Sequence, residues 1–109
     1  CKLVNDFETL AVLQDKPRQL LSFVGIDRSG PEPVRVVAFR GTLIKSIPDW
    51  IANLDLTLLT PYNQYPSAKV HKGFYTSWTS LLKQEVVQVL NDPKNLPDAP
   101  VVVTGHSLG

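Results

Sequence analysis

The last nine residues, Val101-Val102-Val103-Thr104-Gly105-His106-Ser107-Leu108-Gly109, run a β-branched strand straight into the pattern Gly-x-Ser-x-Gly. A short β-branched run without polar alternation reads as a strand buried on both faces, the condition of a parallel sheet. A chain that leaves such a strand by a sharp turn lifts the residue at its tip above the sheet edge. The positions two residues to either side are then squeezed together. Gly105 and Gly109 lack the side chains that would collide there, which makes Ser107 the candidate nucleophile. The bare pentapeptide also occurs in ordinary glycine-rich turns, and the strand in front of it is what favours the sharp one.

A parallel strand needs a partner reached by a crossover, and the chain supplies one. Val34 to Phe39 is a Val-rich run, short enough to be a central strand. From residue 74 the period changes: Phe74, Trp78, Leu81, Leu82, Val86, Val89 and Leu90 fall on one face of a helix, with Lys83, Gln84, Glu85 and Gln88 opposite. Asn91-Asp92-Pro93 ends that helix, and Asn95 to Pro100 is the loop into the last strand. The spacing predicts a βαβ crossover built from residues 34–39, 74–90 and 101–104, its two strands parallel in one sheet and its helix packed on a face. Upstream, Phe7 to Leu13 and Leu20 to Ile26 form an apolar pair around the polar stretch Gln14 to Gln19. A dense turn signal at Asp27 to Pro33 leads to the third strand, so residues 7–39 read as an antiparallel meander. In open α/β sheets ligands bind beyond the carboxyl ends of the strands. There, Arg40-Gly41-Thr42 leaves one strand as Ser107 leaves the other, and the two loops are expected to meet over one substrate.

Composition narrows the function classes. With 43% hydrophobic and 19% charged residues the chain is of ordinary globular type. Eleven Lys and Arg against ten Asp and Glu leave a formal charge of +1, too little to hold nucleic acid by counterion release. No apolar run approaches the ~20 residues of a membrane span. The sequence begins at Cys1 and has no methionine, so an upstream segment is expected, and a signal peptide there is left open. Cys1 is the only cysteine; it is a free thiol or half of a bridge to a partner outside this sequence. No Cys/His cluster has ligand spacing, which argues against a structural zinc; no metal and no cofactor are expected.

Four blocks carry a family resemblance: Val37-Ala38-Phe39-Arg40-Gly41-Thr42, Asp49-Trp50-Ile51-Ala52-Asn53-Leu54, Val70-His71-Lys72-Gly73-Phe74 and Val103-Thr104-Gly105-His106-Ser107-Leu108-Gly109. In order and near-spacing they resemble the fungal class 3 lipases. The resemblance implies residues 1–109 as the N-terminal part of an α/β-hydrolase fold, a mixed sheet of meander and βαβ unit, incomplete at both ends. It implies a secreted serine esterase that cleaves acylglycerols at a lipid–water interface without a cofactor. Ser107 then resembles the nucleophile, and the N–H of Leu108 with the N–H and hydroxyl of Thr42 resemble the oxyanion hole. The triad acid and histidine follow the serine in that family's chain order. They are therefore expected outside this sequence, and the 109 residues alone are expected to be inactive. Leu43 to Leu59 is the lid candidate: Leu43, Ile47, Trp50, Ile51, Leu54 and Leu58 repeat at helical spacing, with Asp49, Asn53 and Asp55 elsewhere and Pro48 suited to a first turn. A core helix fits the same stripe, and the resemblance is what favours the lid.

Neither histidine suits the general base. His106 lies inside the turn, where its side chain is expected to point away from Ser107, and His71 precedes the long helix. A triad of Ser107, His71 and Asp49 would run against the usual chain order. Three readings follow: a triacylglycerol lipase, a feruloyl-type or short-chain esterase of the same family, or a non-catalytic module. The apolar lid stripe favours the first over the second. Against the third stands its physics, since an open strand edge and uncovered apolar faces promote aggregation.

Overall fold

The computed structural model describes residues 6–15, 20–41, 48 and 57–106. Its elements run β1 (Phe7–Asp15), β2 (Leu20–Asp27), β3 (Val34–Arg40), β4 (Leu58–Leu59) and β5 (Val70–His71), followed by a long helix and β6 (Val101–His106). The helix consists of α1 (Lys72–Ser77), a π-helical turn (Trp78–Leu82) and α2 (Lys83–Asn91), and a 3₁₀ turn (Pro93–Asn95) precedes β6. The main sheet has the order β1-β2-β3-β6. β1, β2 and β3 pair antiparallel, and β6 joins β3 in parallel. The fold is therefore the mixed α/β arrangement expected, a meander followed by a crossover.

Two ladders are longer than the residue pattern suggests. β1 and β2 pair as far as Asp15↔Leu20, so Gln14 and Asp15 belong to the strand and not to the loop. β6 runs two residues past Thr104, because β3 extends to Arg40 and offers partners to Gly105 and His106. Backbone groups need pairing whatever side chain they carry, so a ladder continues through polar residues that hydropathy would assign to a turn.

One face of the sheet carries the helix. Val24 and Val37 from the sheet and Val86 from α2 form the core, flanked by Leu10, Leu13, Phe39, Trp78, Val89 and Leu90. Burying each of the three valines contributes about 1.5–3 kcal/mol. A register shift between Thr9 and Ala11 marks a bulge at Leu10, and Leu10 packs on this core together with Leu13. Phe39, near the carboxyl end of β3, meets Trp78 edge-on with ring centroids 5.9 Å apart.

At the opposite end of β3, Arg35 is only 6% exposed. Its guanidinium donates to the carbonyls of Leu90, Pro97 and Ala99. It thus holds the end of α2 and the loop beyond it against the start of β3. These two contacts show that the helix runs antiparallel to β3, with its N-terminus at the carboxyl edge of the sheet.

Three expectations are corrected. The helix is not a uniform α-helix over 74–90: the Lys83 N–H reaches the Trp78 carbonyl, one residue beyond α spacing. Within that stretch Thr79 Oγ1 donates to the Tyr75 carbonyl at 2.8 Å and Ser80 Oγ to the Thr76 carbonyl at 2.6 Å. Hydroxyls that compete for helix carbonyls loosen the local ladder, and apolar spacing alone does not report it. Within the described residues the triple valine is not buried on both faces: Val101, Val102 and Val103 are 41%, 50% and 66% exposed. β6 is the edge strand of the sheet, so no described strand covers its outer side. Leu58 does not continue a helical stripe, since it lies in β4 opposite His71. Of the lid candidate, Pro48 is helical and exposed, and Ile47, Trp50, Ile51 and Leu54 lie outside the described residues.

Candidate active site

β3 and β6 end side by side at the carboxyl edge of the sheet. Arg40 pairs with His106, and the Gly41 N–H donates to the His106 carbonyl at 3.1 Å, one rung further. Gly41 is buried. Thr42 is the next residue after Gly41, and Ser107 the next after His106. The described part of the chain therefore brings to one place the two backbones from which the candidate nucleophile and oxyanion residue depart. Thr42, Ser107, Leu108 and Gly109 themselves lie outside the described residues. Gly105 is described, and it takes part in β6 opposite Phe39.

Strand alternation separates the residues of β6 onto two faces. Val101 and Val103 line an open apolar groove of about 760 Å³ between the sheet and the helix, together with Phe39, Phe74, Trp78 and Ser77. Val102, Thr104 and His106 belong to the other face. His106 is exposed there, on the side of the sheet away from the groove. Two residues bordering the groove, Arg40 and Ser77, each carry a buried polar atom, Nε and Oγ, with no hydrogen-bond partner among the described residues.

His71 has a structural task. Its Nδ1 accepts the backbone N–H of Gly73 at 3.1 Å and that of Phe74 at 3.5 Å, capping α1. Gly73 leaves room for this, because a Cβ there would lie 3.1 Å from His71 Cε1. The ring also packs on Phe74 at 4.7 Å. An Nδ1 that accepts two backbone donors carries no proton, so the proton is on Nε2. That Nε2 is buried and has no partner among the described residues. His71 therefore has no free basic nitrogen to offer a serine.

Sequence reasoning missed Arg35 and this cap. An isolated charge on the core-facing side of β3 is the signal that would have flagged Arg35, since a buried guanidinium must find acceptors. Among the described residues no group of three or more His, Cys, Asp and Glu side chains is gathered as a metal site. No described helix is long and apolar enough to cross a membrane. Among the described residues the one carboxyl group held clearly off its ordinary range is remote from the site: Asp27 is lowered by hydrogen bonds from the side chain and backbone of Ser29, against a smaller desolvation effect.

Comparison with known proteins gives this geometry a family. Residues 36–109 match the model of the class 3 lipases. A lipase of Rhizomucor miehei is 38% identical over 84 residues, 77% of this chain and 22% of that protein. A secreted mono- and diacylglycerol lipase 2 of Gibberella zeae is 30% identical, over 98% of this chain and 32% of its own length. The solved structure of the Rhizomucor miehei triacylglyceride lipase superposes with a TM-score of 0.76 at 31% identity, covering 100% of this chain and 39% of that one. The chain thus spans about a fifth to two fifths of these relatives. With the elbow pattern, the crossover and the paired strand ends all matched within residues 36–109, the chain belongs to the class 3 lipase family.

Proposed function

We propose that the full-length protein is a secreted carboxylic-ester hydrolase that cleaves acylglycerols through an acyl-enzyme on Ser107. The observation that carries this reading is the rung between Gly41 and His106, which sets the departure points of Thr42 and Ser107 on neighbouring strands of a class 3 lipase fold. Ser107 Oγ attacks the ester carbonyl and passes its proton to a general base. Negative charge then develops on the former carbonyl oxygen, where the N–H of Leu108 and the N–H and hydroxyl of Thr42 donate to it. Preset donors of this kind lower the barrier without reorganising. The tetrahedral species collapses and the alcohol leaves with the proton; water then repeats the sequence on the acyl-serine and releases the fatty acid.

The reading takes these 109 residues as the N-terminal part of a larger hydrolase domain, with the triad acid and histidine elsewhere in it. The exposed β6 and the open groove beside it support this, as does the share of each relative that the chain spans. The segment 43–59 is the proposed lid, with Ile47, Trp50, Ile51 and Leu54 as its lipid-facing residues. Acylglycerol as substrate class rests on the relatives' names, one a mono- and diacylglycerol lipase and one a triacylglyceride lipase. The secreted relative supports an extracellular location.

The test is hydrolysis by the full-length protein of emulsified triolein, a diacylglycerol emulsion and soluble methyl ferulate. Wild type is expected to release fatty acid from the emulsions, and Ser107→Ala to release none. Turnover of methyl ferulate alone would replace the lipase reading with the feruloyl-esterase one.

A further inference from the structure

A second feature stands at the same end of the molecule as the site. The segment between β4 and β5 is closed by the pairs Leu58↔His71 and Leu59↔Val70 and by the Lys72 N–H donating to the Thr57 carbonyl at 2.9 Å. Inside it, Tyr65 N–H bonds the Tyr62 carbonyl and Ala68 N–H the Tyr65 carbonyl, each at 3.0 Å. Pro61 and Pro66 stiffen the backbone further. Tyr62 is anchored edge-on against Tyr75 of α1, with ring centroids 6.3 Å apart. The loop is thus built, yet its large side chains face water: Leu58 is 55%, Tyr62 45% and Tyr65 67% exposed.

Charge on this stretch has one sign. From Leu56 to Gln84 there is no Asp or Glu, while Lys69, Lys72 and Lys83 fall within it. Lys69 and Lys72, at the base of the loop, are exposed. β5 leads directly into the helix N-terminus, which lies at the carboxyl edge of the sheet beside the ends of β3 and β6.

We propose that this loop, presenting Leu58, Tyr62, Tyr65, Lys69 and Lys72, is a docking platform for an anionic lipid–water interface. It rests on the ester-hydrolase reading for its setting, and it shares only Leu58, in β4 at the end of the lid candidate, with that segment. Tyrosine combines an apolar ring with a polar tip and suits the headgroup level. Lysine lays its stem along apolar surface while its ammonium meets anionic headgroups. Ester hydrolysis leaves fatty-acid carboxylates in the interface, so a cationic platform holds the protein more firmly as product accumulates. An acid-free stretch favours this occupant over a neutral apolar partner surface.

Sedimentation of the full-length protein with vesicles tests it. Phosphatidylcholine vesicles doped with phosphatidylglycerol are compared with pure phosphatidylcholine, and turnover of soluble p-nitrophenyl acetate is measured in parallel. The Lys69→Gln/Lys72→Gln variant is expected to lose roughly ten- to thirtyfold in partition onto the anionic vesicles. Its partition onto neutral ones and its turnover of the soluble ester should be unchanged. Tyr65→Ser, which removes a ring with no stacking partner among the described residues, should weaken binding to both. Wild-type partition that ignores the anionic lipid, or a lysine variant that binds like wild type, would overturn the platform. Wild type that fails to turn over the soluble ester would instead sink the hydrolase reading, whatever the vesicle result.

Discussion

The Gly41 N–H donates to the His106 carbonyl at 3.1 Å, and this rung joins the residue that follows β3 to the last residue of β6, 65 positions away. It ties the loop that begins at Thr42 to the turn that begins at Ser107, so the backbone leading to a proposed oxyanion donor and that leading to a proposed nucleophile share a hydrogen bond. If the Thr42 hydroxyl contributes to the oxyanion hole, removing it while keeping the side chain's shape should cost rate and not stability. Thr42→Val in the full-length protein is expected to lower kcat about a hundredfold, with its melting temperature unchanged. A retained kcat would leave the backbone N–H as the sole contribution of residue 42.

Arg35 offers a test of the crossover. Its guanidinium is buried and satisfied by carbonyls of Leu90, Pro97 and Ala99, with no carboxylate among these partners. Arg35→Ala leaves those acceptors without a donor and opens a cavity behind α2. Hydrogen bonds from a charged donor contribute about 1.5–3 kcal/mol each, and the losses are not additive. A total of about 3–5 kcal/mol is expected from denaturant unfolding. Arg35→Lys should recover only part of it, because one ammonium cannot reach three carbonyls in the geometry of a planar fork.

The residues that were legible in sequence are those whose burial is periodic. Val34 to Phe39 and the stripe from Phe74 to Leu90 repeat because one face of each packs on the other, and burial selects residue type. The clamp made by Arg35 left no such trace, since its acceptors are main-chain carbonyls 55 to 64 positions away that any residue supplies. β4 and β5 are two residues long, shorter than any pattern, and Leu58 matched a helical stripe by spacing alone. The π turn was hidden because Thr79 and Ser80 look like ordinary solvent-facing residues. Of the candidate site, the convergence of two strand ends was legible because βαβ handedness and parallel pairing leave few alternatives. The exposure of Val101 to Val103 was not, because a β-branched run states what a strand suits and not what covers it.

Gly25 tests the packing of the opposite face. A Cβ placed there would collide with Phe7 Cζ and lie 2.7 Å from the Glu8 carbonyl oxygen. Phe7 in turn stands edge-on to Phe23, with centroids 5.9 Å apart. Gly25→Ala is expected to cost about 1–3 kcal/mol in unfolding free energy. Adding Phe7→Leu should restore only part of this, since the ring can be removed but the Glu8 backbone cannot. Full recovery in the double variant would mean that β1 shifts freely against β2.

Asp27 gives a pH signature. The Ser29 side chain and backbone N–H both bond its carboxylate, the latter at 2.9 Å, which holds its carboxyl below the ordinary range. A group whose pKa is lower folded than unfolded binds fewer protons in the folded state. It therefore adds stability that is fully present above the unfolded value, about 3.9, and is lost as pH falls through the folded one. NMR titration of the Asp27 carboxyl carbon should place its midpoint below that of the unfolded chain. Ser29→Ala should raise it by removing the first of the two donors while leaving the N–H.

His71 separates a structural histidine from a catalytic one. Its Nδ1 accepts from Gly73 and Phe74, and its protonated Nε2 is buried, so the ring satisfies the helix terminus and has no nitrogen free to take a proton from Ser107. A cap and a general base answer substitution differently. His71→Asn keeps an acceptor at the cap, and is expected to retain both ester turnover and most of the stability. His71→Ala leaves the two N–H groups without the side chain, and should cost about 1 kcal/mol of stability with kcat nearly unchanged. If instead both substitutions abolished turnover while the protein stayed folded, the order Ser107, His71 and Asp49 would have to be reconsidered as a triad. A stability loss in His71→Ala that Asn repairs, with turnover intact in both, leaves the base to the part of the domain beyond Ser107.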